Sequence, residues 1–214
     1  MPAKFDIEKH WNARYASEEA VYGREPNAYF SSWVEAQLSL GRPPSSMLLP
    51  ADGEGRNGVF AAACGWDVTT FDASAEGVAK SRRWAEEGAT LAGRLNAEVG
   101  RAGNYSPGPD VKFDVIGLFY FHQQPDSRER FHKQVAQWLA PGGTLVLEGF
   151  GKGQLSFKSG GPSELSMLFN EAELREDFAD LEVDMCSTVL VDLNEGPYHQ
   201  GAAEVLRFIA RRAD

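Results

Sequence analysis

Cysteine is scarce in this chain. Only Cys64 and Cys186 occur among 214 residues, far apart and without metal-type spacing, so neither a disulfide framework nor a cysteine metal knuckle is expected. Four scattered histidines form no cluster with acids, and no metal site is expected either. Long apolar runs are missing: no window approaches the roughly 18 consecutive apolar residues of a membrane span. The first residues carry Lys4, Asp6, Glu8 and Lys9 and do not read as a signal peptide. Positive charge is also in short supply. With 21 Lys and Arg against 31 Asp and Glu, the formal charge is −10, which argues against a surface that tracks phosphates, and hence against nucleic acid as a partner. The expectation is a cytoplasmic enzyme or binding protein, one domain in extent, monomeric or homodimeric.

Strand and helix signals alternate through most of the chain. Trp11 to Tyr22 mixes aromatics with charges and leads into a turn at Gly23 to Pro26. Asn27 is placed to cap a helix over Ala28 to Leu40. Met47 to Ala51 predicts a strand, Gly58 to Cys64 a helix, and Asp67 to Phe71 a second strand. Ser74 then caps a helix running to about Glu87. Arg94 to Val99 is a weak third strand. Phe113 to Phe121 is apolar apart from Asp114, as a central strand buried on both faces should be. A helix over Ser127 to Leu139 stops at Pro141-Gly142-Gly143, and Thr144 to Leu147 is the next strand. Asn170 to Phe178 predicts a charged helix, with closing strands over Leu181 to Leu193 and Glu204 to Ala210. The alternation argues for an α/β, doubly wound parallel sheet. Gly149 to Pro162 is the candidate mobile loop.

The richest stretch is Ala-Asp-Gly-Glu-Gly-Arg-Asn-Gly over Ala51 to Gly58, with Asp72 closing the next apolar run. A glycine turn between strand and helix, followed by an acid, describes an adenosine-type site. Gly53, Gly55 and Gly58 also spell the dinucleotide fingerprint, so a nicotinamide-dependent oxidoreductase is one reading. Asp52 and Glu54 bracket Gly53, however. Two carboxylates oppose a pyrophosphate and suit a ligand that bears an ammonium and a sulfonium, as S-adenosylmethionine does. Asp72 fits either cofactor through the ribose hydroxyls, and would equally serve as a cap for the helix that starts near Ser74.

Taken together, these pieces resemble a class I S-adenosylmethionine-dependent methyltransferase. More narrowly, the chain resembles small bacterial relatives of the tellurite-resistance and thiopurine methyltransferases. The narrower likeness lies in W-N-A-R-Y at Trp11 to Tyr15, Y-G-R-E-P-N at Tyr22 to Asn27, L-E-G-F at Leu147 to Phe150, G-G-P at Gly160 to Pro162 and E-G-P-Y-H-Q-G at Glu195 to Gly201. The resemblance implies a Rossmann-like sheet of seven strands, the last antiparallel, with helices on both faces. It implies an N-terminal lid and helix over residues 1–45 and a core over residues 46–214. Gly53 and Gly55 would lie along the methionine portion, Asp72 would hold the ribose, and Ala73 and Ser74 would flank the adenine. Leu118 and Phe119 would sit under the sulfonium, while Trp11, Arg14, Tyr15 and Tyr22 would form the lid. Three positions depart from the family. Leu49 and Ala51 stand where an acid and a glycine are usual, and Arg101 falls where an acid commonly reaches the adenine. Asp52 is the candidate to take over the role of the acid missing at Leu49.

Methyl transfer from a sulfonium is an in-line displacement that needs alignment, exclusion of water and, for a protic acceptor, removal of a proton. The expected acceptor is a small molecule, a thiol or a chalcogen oxyanion. Phe119, Tyr120 and Phe121 end a strand where aromatic faces could shape the acceptor cavity. His122 and His199 are the candidate general bases. His132 reads as a helix-surface residue, Cys64 as core, and Glu148 as either an anchor for a cationic acceptor or the partner of an arginine. A protein that binds the cofactor without turnover is the remaining alternative.

Overall fold

The computed structural model describes residues 6–87 and 90–214. Seven strands form one sheet in the order β3-β2-β1-β4-β5-β7-β6. They are β1 (Ser46–Pro50), β2 (Asp67–Asp72), β3 (Arg94–Val99), β4 (Phe113–Phe119), β5 (Leu139–Phe150), β6 (Glu182–Asn194) and β7 (Gln200–Arg211). All neighbouring pairs from β3 to β5 are parallel, whereas β7 runs antiparallel to both β5 and β6. This is the Rossmann-like arrangement of methyltransferases, with the final strand inserted against the grain.

Helices α2 (Ala28–Ser39), α3 (Arg56–Ala63) and α4 (Ala75–Glu87) precede β1, β2 and β3; α5 (Pro125–Trp138) and α6 (Glu171–Asp177) flank β5. The central strands are mostly apolar because both faces are covered, with Asp114 of β4 and Glu148 of β5 as charged exceptions. Along β1, Leu48 joins one buried cluster with Phe131, Val135 and Phe178, while its neighbours Met47 and Leu49 join another with Phe30, Val34 and Ala61. That alternation is the period of two expected of a strand. A third cluster, Phe150, Leu168, Leu193, Ala203 and Val205, ties the end of β5 to the β6–β7 hairpin.

The capping expectations hold. Asn27 accepts from the Phe30 N–H at 2.9 Å at the start of α2, Ser74 accepts from the Gly77 N–H at 3.1 Å at the start of α4, and Asn170 accepts from the Glu173 N–H at 2.9 Å at the start of α6. Two expectations fail. Helix α1 (Ile7–Tyr15), capped by Asp6 through the Lys9 N–H, lies in a stretch to which the sequence assigned no element, because it presents no continuous apolar stripe. Strand β5 extends across Pro141-Gly142-Gly143, although its pairing with β4 jumps there from Phe113↔Leu139 to Val115↔Thr144. The Gly142 N–H donates to the Arg212 carbonyl, so β-type pairing continues where turn residues predicted a break. No helix among the described residues is long and apolar enough to cross a membrane, and no group of three or more His, Cys, Asp or Glu among them could hold a metal.

Candidate active site

The glycine turn leaves the C-terminal end of β1. Ala51 takes a left-handed φ of 55° and Gly55 a φ of 85°. A Cβ on Gly55 would overlap Ser81 of α4, and one on Gly53 would overlap the Tyr15 ring. The glycines thus allow two close approaches at once, by α4 from one direction and by α1 from another. Asp72, at the end of β2, accepts from the Gly53 N–H at 3.0 Å and from the Ser74 N–H at 2.8 Å, one bond to each carboxylate oxygen. Burial raises its pKa to about 6, against the pull of those two donors. No Lys or Arg pairs with it among the described residues. A buried carboxylate with spare lone pairs and no cation fits a diol donor such as a ribose.

The two carboxylates that bracket Gly53 do not face a ligand together, which corrects the charge argument drawn from their spacing. Glu54 is buried and accepts from Lys80 Nζ at 2.7 Å and from the Val21 N–H at 2.8 Å. Asp52 accepts from the Gly58 N–H at 2.9 Å, beside Thr70 and Leu95. It therefore caps the start of α3 from beneath, and its Oδ1 is buried without a partner. Burial, partly offset by the Gly58 N–H and Arg56, pushes its pKa to about 7. Leu49 is wholly core, packed with Met47 and Val146.

Helix α1 lies across the turn. Tyr15 is buried against Gly53 and Gly77, Trp11 stacks on Tyr15 at 5.4 Å between centroids, and the Arg14 guanidinium lies 4.1 Å from the Tyr198 ring centroid. Asn12, which drew no attention in the sequence, accepts from Ser74 Oγ at 2.7 Å and from the Glu76 N–H at 3.3 Å. Ala73, between Asp72 and this cap, is half-buried. Beside the strand end runs an open groove of about 510 Å³ whose lining includes Glu8, Val99, Arg101 and Tyr105. Arg101 Nε donates to Glu8 Oε1 at 2.7 Å, tying α1 to the loop after β3.

The ends of β4 and β5 meet the β6–β7 turn. Leu118 and Phe119 point to opposite faces of the sheet and are core, Phe119 lying 4.8 Å from the Phe30 ring. Tyr120 follows in a left-handed conformation with φ 52°, a cost of about 1 to 2 kcal/mol for a residue with a Cβ. Backbone strain of this kind gathers at functional sites. Three rings surround His199: Tyr120 at 4.5 Å, Tyr22 at 4.6 Å and Phe150 at 5.2 Å between centroids. His199 Nδ1 faces Glu195 Oε2 at 3.5 Å. Burial pushes the His199 pKa below the usual imidazole value, against the opposing pull of Glu195.

Beneath these rings lies a buried polar network. Arg56 Nη2 donates to Glu195 Oε2 at 2.7 Å. Asn27 Nδ2 reaches Glu148 Oε1 at 2.7 Å and Glu195 Oε1 at 3.1 Å. Arg207 Nε donates to Glu148 Oε2 at 2.7 Å and Tyr120 Oη to Glu148 Oε1 at 3.2 Å. Each carboxylate therefore has its own arginine. Burial works to raise the Glu195 pKa, yet His199 and Arg56 hold it down to about 2. Of the roles open to Glu148, the arginine pairing is the one observed.

The other candidate base is differently placed. His122 donates from Nδ1 to the Met167 carbonyl at 2.9 Å and accepts at Nε2 from the Phe150 N–H at 3.0 Å. Both ring nitrogens are committed to backbone, and burial lowers its pKa to about 4. His132 is not a surface residue: it is 1% exposed, stacked on Phe178 at 4.5 Å and bonded through Nδ1 to Asp177 Oδ2 at 2.8 Å. Arg128 donates to the same Asp177 oxygen at 2.8 Å. Cys64 caps the end of α3 and packs against the core there.

The comparisons with known proteins agree with this geometry. Residues 50–143 match a family model described as a methyltransferase domain. No curated protein matches the sequence. Among solved structures, magnesium protoporphyrin IX methyltransferase from Synechocystis with bound S-adenosylhomocysteine is 13% identical with a TM-score of 0.68, over 97% of this chain and 98% of that one. N-methyltransferase NodS from Bradyrhizobium japonicum with S-adenosylhomocysteine is 13% identical with a TM-score of 0.71, over 98% and 100%. TehB from Haemophilus influenzae is 16% identical with a TM-score of 0.65, over 97% of this chain and 67% of that one. Two of these neighbours hold S-adenosylhomocysteine, the product form of the cofactor expected at the glycine turn. Residues 50–143 thus carry a methyltransferase domain, and the fold of the whole chain is that of S-adenosylmethionine-dependent methyltransferases.

Proposed function

We propose that this chain methylates a small, soft acceptor, a thiol or a chalcogen oxyanion, held at the ring-lined end of β4 and β5. The observation that carries the reading is the enclosure of His199 by Tyr22, Tyr120 and Phe150, close to the strand ends from which the glycine turn also departs. Aromatic walls exclude water and favour polarisable groups, and their faces attract a sulfonium. When bound, the cofactor supplies an electrophilic methyl group. Asp72 would hold its ribose and the turn at Gly53 and Gly55 its methionine portion. Ala73 and Ser74 would flank the adenine. Trp11, Arg14, Tyr15 and Tyr22, in the N-terminal segment read as residues 1–45, would cover it. His199 is the residue we assign to the acceptor side.

Calorimetry with S-adenosylhomocysteine and NAD, followed by a methylation panel of thiols, selenite, tellurite and amines, tests the proposal. Binding of S-adenosylhomocysteine with methylation of a sulfur, selenium or tellurium acceptor is the expected result. Methylation confined to amines would refute it.

A further inference from the structure

We infer that His199 and Glu195 form a base and its positioning residue, and that the acceptor is a neutral thiol whose proton passes to His199. The inference rests on the ring-lined end being the acceptor site. It starts from the one histidine of that end whose ring is not committed to backbone. His122 spends both nitrogens on Met167 and Phe150, and His132 is bonded to Asp177. His199 instead presents Nδ1 to the Glu195 carboxylate at 3.5 Å, a charge contact without a formed hydrogen bond, and this buried nitrogen has no hydrogen-bond partner among the described residues. Nothing among the described residues hydrogen-bonds its Nε2.

A carboxylate beside one imidazole nitrogen keeps the proton there and leaves the other nitrogen free to accept. Glu195 is itself fixed. Arg56 Nη2 holds Oε2 and Asn27 Nδ2 holds Oε1, while Asn57 Oδ1 accepts from the Asn27 N–H at 2.9 Å. The clamp draws on the loop before α2, the start of α3 and the β6–β7 turn, so the carboxylate cannot swing away without breaking charge-assisted bonds.

The charges around the ring decide the class of acceptor. Facing His199 are Glu195, the phenols of Tyr22 and Tyr120, and, one layer further, Glu148, Arg56 and Arg207. Each guanidinium of that layer is paired to a carboxylate, and Arg14 lies on the Tyr198 ring. The network is neutral before the ring titrates, and it offers an incoming oxyanion no unpaired cation of its own. A neutral thiol brings no charge into this apolar enclosure. It does bring a proton that has to leave, and an oxyanion would not need the base. Burial pushes the His199 pKa below the usual imidazole value, which favours the neutral form a general base requires.

In the step, the thiol S–H bond breaks and its proton moves to His199 Nε2. The sulfur electron pair forms the new S–CH3 bond as the methyl–sulfonium bond breaks, and that bonding pair stays on the departing sulfur. Glu195 stabilises the resulting imidazolium, which then releases its proton to solvent.

The test compares the wild-type enzyme with His199→Gln and Glu195→Gln on two probes. One is 2-mercaptoethanol, protonated at neutral pH, and the other is pentafluorothiophenol, already ionised there. His199→Gln should lower kcat/KM for 2-mercaptoethanol by about 10²- to 10⁴-fold and for the ionised thiol by less than about tenfold. Glu195→Gln should cut the first rate by a similar factor and displace the acidic limb of its pH profile. Both variants should bind S-adenosylhomocysteine as the wild type does, by calorimetry. In the wild-type complex, nitrogen NMR of labelled histidine should show His199 as the Nδ1–H tautomer. Equal losses on the two thiols, or an Nε2–H tautomer, overturn the inference. If the wild type binds S-adenosylhomocysteine and methylates only selenite, tellurite or amines, the thiol assignment falls while the methyltransferase reading stands. If it does not bind S-adenosylhomocysteine, that reading falls and this one with it.

Discussion

Lys80 of α4 donates to Glu54 Oε1 at 2.7 Å, with both side chains less than a tenth exposed. The other Glu54 oxygen takes the Val21 N–H at 2.8 Å, so this pair joins the glycine turn, α4 and the segment between α1 and α2. Lys80→Met should leave Glu54 buried and uncompensated, costing about 3 to 5 kcal/mol. Urea unfolding measures it. The double variant Lys80→Met with Glu54→Met should lose far less than the sum of the single changes, because no charge is then stranded.

Stability should peak on the acid side of neutrality. Asp52 and Asp72 have folded pKa values raised to about 7 and about 6, so each binds its proton more tightly when folded. Their contribution is fully present below the unfolded value and is lost as pH rises through 6 and 7. Glu195 works in the opposite sense. Its folded pKa is about 2, so its contribution is present above the unfolded carboxylate value and is lost as pH falls towards 2. Thermal unfolding from pH 4 to pH 9 should show a decline on the alkaline side. Asp52→Asn should flatten that decline, raising stability at pH 8 by something on the order of 2 to 4 kcal/mol.

Ala51→Gly should stabilise the protein, contrary to the usual sign of that change. Ala51 holds φ at 55°, which costs a residue with a Cβ about 1 to 2 kcal/mol, and the extra freedom of glycine when unfolded returns only part of this. A net gain of about 0.5 to 1 kcal/mol, seen as a higher denaturant midpoint at constant slope, is expected. An unchanged or lower midpoint would show that the turn relaxes around Ala51.

His122→Phe should act on stability and leave the pH dependence of turnover alone. It strands the Phe150 N–H and the Met167 carbonyl, both satisfied by the imidazole, at a cost of about 1 to 3 kcal/mol. The pH profile of methyl transfer should keep its wild-type limb. A lost or displaced limb would return His122 to the list of proton carriers.

How much of this was legible in the sequence depended on distance along the chain. Apolar runs such as Phe113 to Phe119 and the caps at Asn27, Ser74 and Asn170 act within a few residues, and they placed the sheet and its helices. Helix α1 escaped notice because it has no apolar stripe and packs at long range, Tyr15 on the glycine turn and Arg14 on Tyr198. The polar network was hidden for the same reason. Asn27 bonds to Glu148 and Glu195, 121 and 168 positions away, and no local pattern reports such a pairing. His132 misled because helical spacing places a residue on a face but does not say what covers that face; here it is Asp177 and Phe178. The acids Asp52 and Glu54 suggested a cationic ligand, but spacing does not show where they point, and both serve the scaffold.

The insertion of β7 between β5 and β6 has a temporal consequence. A chain emerging from the ribosome completes β1, β2 and the glycine turn long before residues 195 to 199 exist. Those late residues reach the sheet end only when β7, the last strand made, pairs with β5 and β6. A nascent chain therefore has the glycine turn and Asp72 in place before the rings of Tyr22, Tyr120 and Phe150 have a His199 to enclose.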